Sequence, residues 1–371
     1  MSKVRFVGLD VHKSSIVIAV ADSDRSEPSV VCEIPHDVPR LVKELRKLAR
    51  GGAEIRACYE AGPTGFGLYR ALLEAKIDCQ VIAPSLIPKQ PGAQVKTDRR
   101  DAVRLARFHR SGDLTTVYVP DAQTEAMRDL ERTRDDAKNA ERVARHQLSK
   151  FLLRHGRHYA KKGTWTEPHL AWIRAQKFEH EAQNRVLVDY THTVEEATAR
   201  VARLDKDIAA LVETWSAKPL VKALQGLRGV QLLTAVVIAA ELGCITRFEH
   251  PRQLMAFLGL VPSEHSSGER RRRGGITRAG NGHLRRILIE SSWSYRFRPA
   301  IGQRLRARSE GLSQGVRAIG WKAQKRLNDR YRALLARGKN KQQVITAVAR
   351  ELCGFIWDIA RQPELSAAPV A

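Results

Sequence analysis

Asp98 and Asp101 stand three residues apart within AQVKTDRRDAVRLARFHR, the stretch from Ala93 to Arg110. The apolar spacing of Val103, Leu105, Ala106 and Phe108 predicts a helix. Thr97 suits its N-cap, which puts both carboxylates on one face of the first turn. Acids there have a plain use, because they complement the helix macrodipole, and Arg99, Arg100 and Arg104 are at hand to neutralise them. On this segment alone that use is the favoured one. The sharper use, a divalent-metal site, requires two more carboxylates from elsewhere in the chain. Asp10 follows the apolar run Val4–Leu9, and Glu60 follows EIRACY, so each is expected at a strand end. Four acids in one pocket repel one another unless cations lie between them. Two Mg²⁺ ions would offset that charge and clamp a phosphodiester in line.

The elements that must position these acids follow from the same reading. Val4–Leu9 and Ser15–Val20 predict a hairpin around DVHKS, and Val30–Ile34 a third strand. Asp37–Arg50 has helical spacing; Glu54–Tyr59 is a strand, AGPTG a turn, Phe66–Lys76 a helix and Cys79–Ala83 a strand. The helix carrying Asp98 and Asp101 comes next, then a short strand near Val117–Val119. This order predicts an α/β ribonuclease-H-like domain over residues 1–121, in which adjacent strand ends feed one crevice. VGLDVHKSSIVIAV also resembles the first phosphate hairpin of actin-like sugar kinases. No later Gly-rich phosphate turn supports that reading, and it ranks below.

The chain has 371 residues, enough for two or three domains, with 43% hydrophobic residues and a net charge of +24. Residues 261–371 carry 23 Lys and Arg against 8 Asp and Glu, a net +15. Such charge points to a polyanionic partner, nucleic acid by default. No apolar run approaches the ~20 residues of a membrane span, and the N-terminus lacks a signal peptide's basic-then-apolar order. The five scattered cysteines, with no CxxC, read as reduced core thiols of a cytoplasmic protein and not as a zinc site.

Residues 122–218 are expected to form two long helices. Met127, Leu130, Ala137, Ala144, Leu148 and Phe151 make a near-heptad stripe, interrupted by Arg134 and Glu141. Val186, Tyr190, Val194, Ala197, Val201, Leu204, Ile208, Leu211 and Trp215 alternate in steps of three and four, the coiled-coil pattern. The two helices pair with each other or with another subunit. The histidines here, His169 among them, are not at metal-ligand spacing from one another and are expected at the surface or facing phosphate.

Residues 219–371 form a mainly α domain. Leu224–Gly243 resembles a helix-hairpin-helix turning at Gly226 and Gly229, with a plain helical corner as the rival reading. After it comes GLVPSEHSSGERRRRGGITRAGNGHLRR. Ser266 and Ser267 sit beside four arginines, Arg270, Arg271, Arg272 and Arg273, with Arg278, Arg285 and Arg286 close behind. Glycines including Gly268 keep the backbone open. Arginine forks suit phosphates, and a serine in such a field can serve as a nucleophile, though most serines beside glycine are turn residues. The basic helical tail carries Trp293, Tyr295 and Phe297, read as core.

Four motifs together, VGLDVHK, YEAGPTG, KTDRRDA and GLVPSEHSSGERRRRGGITRAGNGHLRR, resemble the DEDD transposases of bacterial insertion sequences over nearly the whole chain. These are relatives of the Piv/MooV DNA invertases and include the bridge-RNA-guided recombinases. The resemblance implies a RuvC-like domain, a coiled-coil insert and a C-terminal transposase domain with a catalytic serine. It implies a metal tetrad of Asp10, Glu60, Asp98 and Asp101 holding Mg²⁺, and a nucleophile in HSSG, with Ser266 preferred to Ser267. It further implies a covalent phosphoserine intermediate, element-end and target DNA, a structured guide RNA, a homo-oligomer up to a tetramer, and a place at the bacterial nucleoid. A metal-only nuclease such as a junction resolvase, and a non-catalytic nucleic-acid-binding protein, are the competing readings.

Overall fold

The computed structural model describes residues 3–88, 97–267 and 270–366. Ala93 to Lys96 and Gly268, used above, lie outside the described residues. The chain divides into two compact units, Met1–Val119 and Pro120–Ala371.

The first unit is built on a five-stranded mixed sheet. β1 (Val4–Val11), β2 (Ser15–Asp22) and β3 (Ser29–Pro35) form an antiparallel meander. β4 (Glu54–Glu60) adds to β1 in parallel, and β5 (Asp78–Ile82) to β4, for the order β3-β2-β1-β4-β5. Helices α1 (Val38–Leu48) and α2 (Gly67–Glu74) bury Leu41, Leu45, Leu68 and Leu72 against Val7, Leu9, Ile55 and Tyr59. α3 (Asp98–Ser111) covers the other face through Ala102, Leu105 and Ala106. Side chains alternate across a strand. Because Leu9 and Tyr59 point to α1 and α2, Asp10 and Glu60 must point to the α3 side. The strand expected near Val117–Val119 is reduced to a single bridge, Ile82 with Thr116, and the bond from Val117 N to Val81 O.

In the second unit α4 (Ala122–Arg154) lies along α6 (Glu181–Val212), with the short α5 (Glu167–Arg174) at the connection. Their shared core includes Ala144, Leu148, Phe151, Leu187 and Val194. The buried stripe of α6 differs from the heptad reading at both ends. Leu187 and Val212 are buried, whereas Val186 and Leu211 are 37% and 49% exposed. Leu187, Val194, Val201, Ile208 and, just past the helix, Trp215 are buried at intervals of seven, so the buried positions keep a seven-residue spacing and only Val186 and Leu211 fall beside it. Glu141, the interruption in α4, is buried and ion-paired by Lys138 and Arg145, and it accepts a hydrogen bond from Thr198 on α6. His169 is buried rather than at the surface, and its Nδ1 accepts from Trp165 N at 2.9 Å.

The remaining helices pack into one core with the roots of α4 and α6. They are α7 (Lys218–Leu224), α8 (Leu232–Leu242), α9 (Pro251–Phe257), α10 (Gly282–Ser292), α12 (Gln314–Ala336), α13 (Lys341–Ala360) and α14 (Pro363–Ser366), while the short α11 (Gln303–Arg308) buries Leu305 outside that core. At the turn between α7 and α8, a Cβ on Gly229 would lie 2.4 Å from Ser291 O, so this glycine serves close packing against α10. The aromatics divide: Tyr295 is core, at 1% exposure, but Phe297 is 53% exposed beneath the guanidinium of Arg296. Between α9 and α10 stands a hairpin of β6 (Pro262–Ser267) and β7 (Arg270–Ile276). Its arginines and glycines hide the apolar alternation by which strands are read from sequence.

Candidate functional site

One glycine decides where α3 sits. A Cβ built on Gly8 would lie 2.2 Å from Ala102 O and 2.5 Å from Ala106 N, so only a bare α-carbon lets the helix lie this close to β1. Thr97 caps α3 by accepting from Arg100 N at 3.3 Å, which starts the helix at Asp98. Asp98 and Asp101 therefore face the end of β1, two residues beyond Gly8.

The structure brings Asp10 and Asp98 together around a residue that sequence reasoning passed over. His12 Nε2 lies 3.2 Å from Asp10 Oδ2 and 3.6 Å from Asp98 Oδ1, and one donor atom from each of the three lies within 4.8 Å of the others. His12 follows the end of β1, two residues beyond Asp10, and nothing in VGLDVHK ties it to Asp98. Asp101 and Glu60 are joined by Arg104, whose Nη2 is 3.0 Å from Asp101 Oδ1 and 3.7 Å from Glu60 Oε1. Glu60 is one residue beyond the Leu9–Tyr59 pairing of β1 and β4, and so beside Asp10 in the sheet.

Burial holds the Asp10 carboxyl above the usual carboxylate range, His12 opposes this, and the charges of Asp98 and Asp101 add to the rise. Like charges are thus close enough to disturb one another, as expected of a site that gains from a cation. Carboxylate oxygens with one imidazole suit a divalent ion of the Mg²⁺ or Mn²⁺ kind, and the residues present fit such an ion.

Ser266 and Ser267 occupy the end of β6 in the second unit, both exposed, paired in register with Arg271 and Arg270. Arg272 and Arg278 are exposed as well. Arg285 is tied to the protein: its Nη1 donates to Leu258 O at 2.9 Å and Ala279 O at 2.8 Å. Arg286 pairs with Asp135 and Glu290. The described side chains carry a second cluster that sequence reasoning missed, Glu131, Glu241 and His283, drawn from α4, α8 and α10. Nothing in the spacing joins residues so far apart.

A mixed sheet with acids at the ends of two strands and at the start of one helix, followed by a mostly helical region, is consistent with the ribonuclease-H-like class of DEDD transposases. Residues 7–156 match the family model of the IS110-type DEDD transposases, described as transposase. Residues 221–306 match the model described as the transposase IS116/IS110/IS902 family. The chain is 48% identical over 358 residues to the putative transposase y4qE of Sinorhizobium fredii, covering 96% of this chain and 88% of that one. It is 32% identical over 343 residues to the transposase for insertion sequence element IS1533 of Leptospira borgpetersenii, covering 91% and 99%. To the transposase for insertion sequence element IS1111A of Coxiella burnetii it is 27% identical over 295 residues, covering 79% and 78%. The chain belongs to the IS110-family DEDD transposases.

Proposed function

We propose that the protein cuts and rejoins DNA at the ends of its insertion sequence through a covalent phosphoserine intermediate, with Asp10, Glu60, Asp98 and Asp101 holding one or two Mg²⁺ ions. The closeness of Asp10, His12 and Asp98, beside the Glu60–Arg104–Asp101 group, is the observation that carries the reading. When bound, the metal would neutralise the phosphodiester and stabilise charge developing on its oxygens. The Oγ of Ser266, or of Ser267 next to it, attacks phosphorus. A serine–phosphate bond forms, the bond to the 3′-oxygen breaks, and the serine proton leaves with the 3′-hydroxyl. Arg272 and Arg278, with the neighbouring arginines of β7, hold the phosphate backbone. Rejoining reverses the step with another 3′-hydroxyl, so no hydrolysis is needed.

Further parts of the reading are a guide RNA, pairing of subunits through a coiled-coil domain at 122–218, and a tetramer in which the acids of one subunit complete the serine site of another. The domain at 219–371 then carries the nucleophile, and the protein works on the bacterial nucleoid in the cytoplasm. The charge of +24 suits DNA and RNA alike.

The test incubates the protein with labelled element-end DNA, Mg²⁺ and the non-coding RNA encoded beside the gene, then digests and looks for DNA attached to serine. Attachment lost in Ser266→Ala or Ser267→Ala, and in Asp10→Ala, is the expected result. Cleavage that survives both serine changes favours water as nucleophile, a reading supported by the acids standing together within one compact unit. Tight binding with no cleavage leaves a binding protein.

A further inference from the structure

The loop from β7 into α10 is held at its base by a buried carboxylate pair outside the acid cluster of the first unit. Asn281 caps α10, its Oδ1 accepting from Leu284 N at 2.9 Å, while its Nδ2 donates to Glu241 Oε2 at 2.5 Å. Glu241, on α8, is also gripped by Arg132 of α4: Nε is 2.6 Å from Oε1 and Nη2 3.0 Å from Oε2. Two residues after Asn281, His283 Nε2 meets Glu131 Oε2, also on α4, at 3.0 Å. The Glu131 and Glu241 side chains are 2% and 1% exposed. Glu131 Oε1 is buried and receives no N–H, and the Glu241 carboxylate is its close neighbour. Two buried carboxylates this near repel unless something positive lies between them.

The charges around the pair favour a proton over a metal ion in that place. From α4, Arg128 donates to Ala240 O, Arg132 grips Glu241 and Arg134 pairs with Asp205. From α10, Arg286 pairs with Asp135, and His283 lies between Glu131 and Asp135, with Nδ1 3.5 Å from Asp135 Oδ2. Arg132 already holds both oxygens of Glu241 and His283 one oxygen of Glu131, which leaves few donor atoms for a divalent cation. The space beside Glu131 and His283 is about 20 Å³, room for one water.

We infer that Glu131 and Glu241 share one proton and act as a positioning pair, which through Asn281 and His283 fixes the root of the β6–β7 hairpin and so the aim of its serines. This rests on the serine reading above. Burial, followed by the Glu241 carboxylate, pushes the Glu131 carboxyl up to about 7, with His283 pulling the other way. Arg132, Asn281 and the shared proton hold Glu241 below the usual range against its burial. The pair is therefore closed on the acid side of neutrality and is strained as the proton is lost.

Hydrogen exchange in the full chain reads the pair directly at the amides of Arg278, Leu284 and Arg285, whose acceptors are Gly259 O, Asn281 Oδ1 and Asn281 O. After correction for intrinsic rates, wild-type protection there is expected to fall from about pH 6 to about pH 8.5, as the group near neutrality deprotonates. Glu131→Gln, whose amide N–H replaces the shared proton, is expected to keep protection across that range. Glu241→Gln is expected to raise exchange and to slow formation of the DNA–serine adduct about tenfold or more, by loss of charge-assisted bonds, with DNA affinity unchanged. The inference is overturned by equal pH dependence in wild type and Glu131→Gln, or by protection that responds to a chelator. It is also overturned by normal adduct formation in Glu241→Gln. An adduct that persists without Ser266 and Ser267 overturns the serine reading instead, and with it the role in aiming, while the exchange result still decides whether the pair shares a proton.

Discussion

Gly8 faces Ala102 so closely that a Cβ on Gly8 would come within 2.2 Å of the Ala102 carbonyl oxygen. Backbone meets backbone here, and neither side can yield as a flexible side chain would. Gly8→Ala is expected to push α3 away from β1 at a cost of about 1–3 kcal/mol. Thermal unfolding checks the cost. Titration with Mn²⁺ checks the displacement, since affinity should weaken although no donor atom has changed.

The Asp10 carboxyl is held above its ordinary range by burial and then by Asp98 and Asp101, with His12 opposing. For an acid whose folded pKa is raised, the folded state keeps the proton longer than the unfolded chain. Stability is then highest below the unfolded pKa and declines as pH rises through the folded one. Without metal, Asp10→Asn is expected to raise the unfolding temperature at neutral pH and to flatten its dependence on pH at the acid end. With metal and DNA, the same change is expected to lower cleavage at least about a hundred-fold, since even outer partners of a metal ligand are worth 10–100-fold. Paired unfolding and cleavage assays on one preparation test both halves.

His12 lies 3.2 Å from Asp10 and 3.6 Å from Asp98. Its removal in His12→Ala is expected to weaken Mn²⁺ binding by about 10–100-fold, as for other groups that orient ligands. Its side chain is half exposed, so the unfolding temperature should hardly move. An unchanged Mn²⁺ affinity would show that the imidazole is only a neighbour of the acids.

Ser266 and Ser267 are exposed on a strand of the hairpin. Replacing either by alanine is expected to change stability by less than about 0.5 kcal/mol. Formation of the protein–DNA adduct is expected to vanish for one of the two changes and to persist for the other, which mass spectrometry of the digested adduct identifies.

On α6 the buried face passes through Leu187 rather than Val186. Leu187→Ala is expected to destabilise the second unit by about 2–5 kcal/mol, and Val186→Ala by about 0.5 kcal/mol or less. Denaturant unfolding of the two variants checks the assignment. Equal losses would show that Val186 shares the buried face.

The order of strands and helices from β1 to α3 was legible from sequence, because alternation, helical spacing and the cap at Thr97 act within a few residues. The places of the four acids on their elements were legible too, Asp10 and Glu60 at strand ends and Asp98 and Asp101 at a helix start. The β6–β7 hairpin was not legible, since Ser266, Ser267 and the arginines of β7 carry no apolar alternation, and pairing across the hairpin is what makes them strands. The face of α6 was misplaced at Val186 and Leu211 because each has an apolar neighbour, Leu187 and Val212, and sequence spacing alone does not say which of two adjacent apolar residues the packing buries. Tertiary structure alone decided that His12 joins Asp10 and Asp98, and that Glu131, Glu241 and His283 meet. Local preferences act over a few residues, while the meeting of side chains up to 152 positions apart depends on how whole elements pack.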